Sequence, residues 1–285
     1  MGISVSVLVF TCISIIGVSG VFLITGLAGM FSLGQASFMA VGAYTSGVLV
    51  VRFGVPFPVA AVAGTLAGVL AGLLVGLPTV RLRRDYIALV TFGFGEAIIA
   101  ILNNLSNITG GAMGLVGIPP LTTLPLVLLS AFFSLFFVWN FKFSKYGRQC
   151  IAIRTDELAA RSMGIHGDGL KLLVFILSAG FSAYAGVLYG FYTTYVDPGL
   201  FNWTRSAEWI IMVFFGGLGS LTGAVISAIL LGTLPEILRF ASEWRILLYC
   251  VIVLVIINFR PKGLLGEREL GIIKKKTTPD TGRAV

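Results

Sequence analysis

The chain has 285 residues, of which 57% are hydrophobic and 11% charged, against about 25% charged in a soluble domain. That balance excludes an ordinary soluble globular domain, and the apolar content excludes a disordered chain. The formal net charge of +8 could suit a nucleic-acid binder, but the basic residues flank apolar runs and lack interleaved aromatic side chains, which argues against that class.

Charge placement locates the elements. Residues 1–51, 53–80 and 97–141 carry no charged side chain, and a membrane-crossing helix needs roughly 20 mostly apolar residues. The runs are continuous, without the alternating segments of a transmembrane β-barrel. In chain order, apolar segments fall at 5–28, 35–51, 57–80, 86–102, 124–141, 171–195, 206–218, 220–239 and 244–259. The first has no basic leader and is too long for a cleavable signal peptide. The 206–218 segment is too short to cross alone and reads as a half helix, joined to the next at Gly216-Gly217-Leu218-Gly219. The expected fold is therefore an all-α polytopic membrane protein with about eight or nine transmembrane or half-spanning helices. Residues 1–266 form the transmembrane domain, with one long internal loop at 142–170, and 267–285 form a basic tail.

Basic residues set the orientation. Arg81, Arg83 and Arg84 share one short connection. Lys142, Lys145, Arg148, Arg154, Arg161 and Lys171 share the long loop, and Arg260, Lys262, Arg268, Lys274, Lys275, Lys276 and Arg283 the tail. The remaining four (Arg52, Arg205, Arg239 and Arg245) lie near the opposite ends of the segments. Positive charge concentrates on the cytoplasmic side, so the loops bearing the clusters and the C-terminus are expected inside, and the N-terminus outside.

Several features bear on function. The chain contains no Walker A sequence, GxSxG or HExxH, so an enzyme has no constellation to stand on. Cys12, Cys150 and Cys250, with one His, fit neither a disulfide framework nor a metal site. Gly64, Gly68, Gly72 and Gly76 recur every fourth residue, a smooth stripe that lets another backbone approach, within the chain or across a dimer. The stretch Gly26–Tyr44, which includes Gln35 and Ser37, and the stretch Gly216–Ala224 both suggest interrupted helices. Such breaks survive at membrane depth only where protein or a water-filled cavity satisfies the freed backbone. Each is a packing turn or part of a translocation path, with Gln35 and Ser37 as path candidates. Glu96 is an acid well inside a span, a functional candidate by default; it lines the path or anchors a structural hydrogen bond. In the 142–170 loop, Thr155 is the expected cap of a short helix whose Leu158, Ala159, Ser162 and Met163 share one face, with Gly164 as its stop. That helix either docks into another protein or lies on the membrane surface.

The segments SLGQASFMAVGAY, RLRRDYIALVTFGFGEAI, NNLSNITGGAMGL, the 142–170 loop, GGLGSLTGAVISAILL and NFRPKGLLG resemble, in order and spacing, the LivM-type permeases of bacterial branched-chain amino acid ABC importers. The resemblance covers roughly residues 10–266. It implies an ABC importer permease fold in the bacterial cytoplasmic membrane. It also implies partners: a second, LivH-type permease, two cytoplasmic ATPase subunits that bind the ATP, and an external substrate-binding protein. No cofactor is implied for this chain. The stretch Glu157 to Gly164 resembles the EAA-and-glycine pattern of importer permeases, with one extra residue before the Ala pair, which points to Glu157, Ala159, Ala160 and Gly164 for ATPase contact. The implied cargo is Leu, Ile, Val or a related hydrophobic amino acid. Related permeases serve urea, short amides and aromatic acids, which remain alternatives. A stand-alone secondary transporter would leave the loop helix unexplained.

Overall fold

The computed structural model describes residues 5–82, 84–237, 254, 263–266 and 269. The expected 244–259 span apart from residue 254, most of the basic tail and Cys250 lie outside the described residues. Helix α1 (Val5–Val21) runs directly into a π-helical turn (Phe22–Leu27). Helices α2 (Gln35–Phe53), α3 (Phe57–Thr79) and α4 (Arg84–Asn104) follow, with a short α5 (Ser106–Thr109) after them. Next come α6 (Leu124–Phe143), α7 (Lys145–Thr155), α8 (Glu157–Ser162) and α9 (Gly167–Thr193). Helices α10 (Trp203–Gly216) and α11 (Leu221–Ile237) follow. Strand is confined, among the described residues, to β1 (Leu115–Val116) paired antiparallel with β2 (Tyr195–Val196). Among the described residues, six helices are long and apolar enough to cross a membrane, the first being α1 with its π turn. The chain is a multi-pass, all-α membrane protein.

Small residues decide which helices stand at the centre. A Cβ on Gly186 would lie 1.9 Å from the Met39 carbonyl oxygen, and one on Gly42 2.2 Å from that of Ala183. Helices α2 and α9 therefore touch backbone to backbone. The glycine stripe of α3 meets the same pair: Gly68 and Gly72 abut the Ala183 and Ala179 methyls, Gly76 abuts Leu172, and Gly64 faces the Gly42 carbonyl. Close backbone approach of this kind holds helices together where lipid removes the hydrophobic drive between them. Shape follows from this packing: α1 and α9 are the most enclosed spans, whereas α4 and α6 are the least.

The two interruptions lie in the first and last thirds of the chain but adjoin in space. After the π turn the chain leaves helical geometry at residues 28–34, with Gly29 at φ +69°. Between α10 and α11 it turns at residues 217–220, with Gly217 at φ +111°. A Cβ on Gly26 would lie 2.9 Å from the Leu218 carbonyl oxygen, which places one break against the other.

Candidate functional site

The first two basic clusters meet at one end of the bundle. Arg84, opening α4, donates to the carbonyl oxygens of Ile153 and Arg154 at 2.6 and 3.1 Å. These are carbonyls in the last turn of α7, where the helix leaves its acceptors without intrahelical partners and a cation also complements the helix dipole. Helix α7 starts from a Ser144 cap whose hydroxyl accepts from Gly147 N–H at 3.2 Å. It ends at Asp156, whose carboxylate accepts from Leu158 and Ala159 N–H at 2.9 and 3.1 Å. The cap of α8 is thus Asp156, not the expected Thr155. The Thr155 hydroxyl instead donates back to Ile151 within α7, because α7 continues through Thr155 and leaves Asp156 as the first residue free to adopt extended geometry.

Charge holds α8 in place. Glu157 accepts from Lys171 of α9 at 2.6 Å and from Arg161 at 2.9 Å, and Arg161 also reaches Asp168 at 3.2 Å. Burial alone would push the Glu157 carboxyl up, but the hydrogen bonds and charges of Lys171 and Arg161 outweigh it and hold it below the usual carboxylate range. The residues expected to share one face do so: Leu158, Ala159, Ser162 and Met163 are exposed, Leu158 at 79% and Met163 at 83%. Ala160 is 5% exposed and faces inward, so it packs beneath the surface that Ala159 helps to form. Gly164 has φ +79° and open space around its Cβ position, so backbone conformation alone requires glycine there. A groove of about 410 Å³ beside it is lined by Arg161, Gly164, His166 and Asp168 among others.

A second polar centre joins the ends of α6 and α11. Lys142 donates to Glu269 and to the Gly219 carbonyl. Glu269 also accepts from Leu221 and Thr222 N–H at 2.8 and 3.1 Å and from the Thr222 hydroxyl at 2.7 Å. It thereby caps the start of α11. Burial would raise this carboxyl, but Lys142, the Thr222 hydroxyl and the two amides pull it below the usual range. Leu264 and Leu265 N–H donate to the Phe215 and Gly216 carbonyls at 2.8 and 3.2 Å. The Glu269 side chain is 4% exposed against this end of the bundle. Sequence reasoning missed this pair, whose members stand 127 residues apart; the weak signal was the two acids, Glu267 and Glu269, directly after NFRPKGLLG in a mostly basic segment.

The three path candidates differ in setting. Gln35 is fully buried, its Oε1 accepting from the Ser178 and Ser182 hydroxyls of α9 at 3.1 and 2.7 Å. Its Nε2 is buried with no hydrogen-bond partner among the described residues. Ser37 is buried and donates to the Gly34 carbonyl at 2.7 Å. Gln35 thus sits inside the α2–α9 contact, whereas Ser37 faces Gly95 of α4. Glu96 is the opposite: it is exposed, on the outer side of α4, while its neighbour Gly95 is buried with a would-be Cβ 3.9 Å from that of Ser37. It stands twelve positions past Arg84 in a helix ending at Asn104, about 18 Å along the axis. An acid facing lipid at that depth costs roughly 3 kcal/mol or more, so this face of α4 needs cover or water. Among the described residues, no three His, Cys, Asp or Glu side chains group to hold a metal ion.

Residues 3–257 match the family described as the permease component of the branched-chain amino acid transport system. The chain is 32% identical over 296 residues to the high-affinity branched-chain amino acid transport system permease protein LivM of Escherichia coli, covering 92% of this chain and 70% of that one. It is 24% identical over 237 residues to the probable LivM of Methanocaldococcus jannaschii, covering 73% and 68%. Over a shorter stretch of 132 residues it is 29% identical to the LivH permease of Escherichia coli, covering 45% and 42%. No solved structure matches the chain. A helical bundle built on glycine contacts, with a charge-anchored loop helix at its basic end, agrees with these similarities, and the chain belongs to the family of permease components of branched-chain amino acid transport systems.

Proposed function

We propose that this chain is one of the two membrane-spanning subunits of an ATP-driven importer, and that it carries Leu, Ile and Val inward across the bacterial cytoplasmic membrane. The observation that carries this reading is α8: a helix pinned by Asp156 and Glu157 that presents Leu158 and Met163 almost fully exposed. Exposed apolar side chains on a rigid mount mark a contact surface. Its place among the first two basic clusters supports a cytoplasmic position, where two ATPase subunits would receive it. Similarity to both LivM and LivH proteins supports a second, related permease as the other half of the pathway.

The mechanism is alternating access. Closure of the two ATPases on ATP displaces the docked α8 helices and opens the path between the permeases toward a loaded external binding protein. Hydrolysis reverses the motion. Branched-chain amino acids are zwitterions with apolar side chains, so the path needs a few polar groups and little charge. Glu96 is the candidate to face it, since its exposure at mid-membrane is relieved by water or by the amino acid's ammonium group. Gln35 and Ser37 would act one layer behind, Gln35 setting the α2–α9 contact and Ser37 the approach of α2 to α4.

Two results test this reading. Replacing Leu158 and Met163 together by Asp removes two apolar anchors, each contributing about 1.5–3 kcal/mol when buried. The ATPase recovered with the purified permease is expected to fall at least about tenfold, with insertion and thermal midpoint unchanged because both side chains are exposed. Undiminished ATPase recovery would refute docking at α8. The Glu96→Gln change is expected to slow uptake on the order of tenfold, about the effect of one charge-assisted hydrogen bond, again at wild-type thermal midpoint. Normal uptake would remove Glu96 from the path.

A further inference from the structure

Both helix interruptions converge on one side chain. Arg154 Nη1 donates to the Gly26 carbonyl of the π turn and, at 3.1 Å, to the Leu218 carbonyl of the α10–α11 turn. These are backbone acceptors at the two places where the helical ladder fails, and such groups must find protein or water partners near the membrane. Glycine makes room for the arrangement: a Cβ on Gly29 would lie 2.7 Å from Arg154 Cγ. The backbone of Arg154 is fixed in turn by Arg84. Arg154 stands two residues before Asp156, the cap of α8. One residue therefore touches the first break, the second break, the start of α4 and the base of the loop helix.

We propose that Arg154 is the positioning residue that transmits displacement of α8 to both interrupted helices, so that the two breaks move together when the ATPases close. This rests on the importer reading above. The planar guanidinium suits the task because its fork presents several fixed donors. When α7 and α8 shift, the π turn and the 217–220 turn are drawn with them through one rigid group. A lysine would keep the charge yet hold neither carbonyl in a fixed direction. The Gly26–Leu218 contact keeps the two breaks adjacent, so a single side chain can command both.

The test uses the whole importer, purified with its partner subunits and reconstituted in proteoliposomes with the binding protein and leucine. The wild-type complex comes first: absence of ATPase subunits from it would defeat the importer reading itself, before Arg154 is tested. In the Arg154→Gln complex, ATP hydrolysis is expected to continue, while leucine imported per ATP hydrolysed falls about tenfold or more, the range of a typical coupling between sites. Stimulation of hydrolysis by the loaded binding protein is expected to be lost with it. Should Arg154→Gln fail to assemble, Arg154→Lys decides the matter, since it keeps the stem and charge and is expected to show the same uncoupling. A purely structural role would lower yield and thermal midpoint but leave the import-to-hydrolysis ratio unchanged in the surviving complexes. That unchanged ratio overturns the proposal.

Discussion

Adding a single methyl group at Gly186 is expected to be the most disruptive small change in the bundle. The new Cβ would lie 1.9 Å from the Met39 carbonyl oxygen, a backbone atom that cannot rotate away. Helices α2 and α9 would have to separate, and with them the α3 stripe that packs on both. Overpacking of this kind costs about 1–3 kcal/mol and sometimes more, a large share of the margin that keeps most proteins folded. Gly186→Ala is expected to lower the thermal midpoint of the purified permease by several degrees and cut its yield. Gly169→Ala, in the first turn of α9 with nothing within 4 Å of its Cβ position, is expected to leave both unchanged. Equal behaviour of the two variants would contradict the backbone contact between α2 and α9.

Removing the Lys142 ammonium is expected to do comparable damage by another route. Its Nζ faces Glu269 and the Gly219 carbonyl and lies 5.6 Å from the Phe22 ring centroid, and the two charged side chains are 9% and 4% exposed. A buried ion pair contributes little beyond an apolar replacement, but breaking it by deleting one partner costs about 3–5 kcal/mol, because the other charge stays buried. Lys142→Ala is thus expected to destabilise strongly. The second change, Glu269→Gln, made in that background should recover part of the loss, because it removes the buried unpaired charge while the one amide oxygen still accepts from either the Leu221 or the Thr222 N–H. The measurement is the thermal midpoint of the two single variants and the double variant. Effects that simply add would mean that the pair is not coupled.

Elements and site were legible to different depths. Unbroken apolar runs marked the described spans closely: the segment expected at 124–141 is the helix Leu124–Phe143, and that at 57–80 is Phe57–Thr79. Hydrophobicity over a run of residues is a local signal, so no partner was needed to read it. The glycine-rich interruptions were legible for the same reason. Their meeting at Arg154 was not, because periodicity carries no information about which distant segments pack together. Lys142 illustrates the limit: composition makes it one cation of a cytoplasmic cluster, whereas its chemistry depends on Glu269 at the far end of the chain. The cap of α8 shifted from Thr155 to Asp156 because α7, a separate helix in the loop, claimed Thr155. Glu96 was conspicuous in sequence as an acid within a span, but only the fold shows that it points away from the bundle.

On this reading the chain provides the path for branched-chain amino acids in an ATP-driven importer. Uptake of labelled leucine, isoleucine and valine into proteoliposomes containing this chain, its paired permease and the two ATPases tests it most directly, with the binding protein outside and ATP on the ATPase side. Accumulation of all three is expected, lost when ATP, the binding protein or this chain is omitted. Uptake that persists without the ATPases would contradict the importer reading. A complex that passes only urea, a short amide or an aromatic acid would contradict the cargo while keeping the machine.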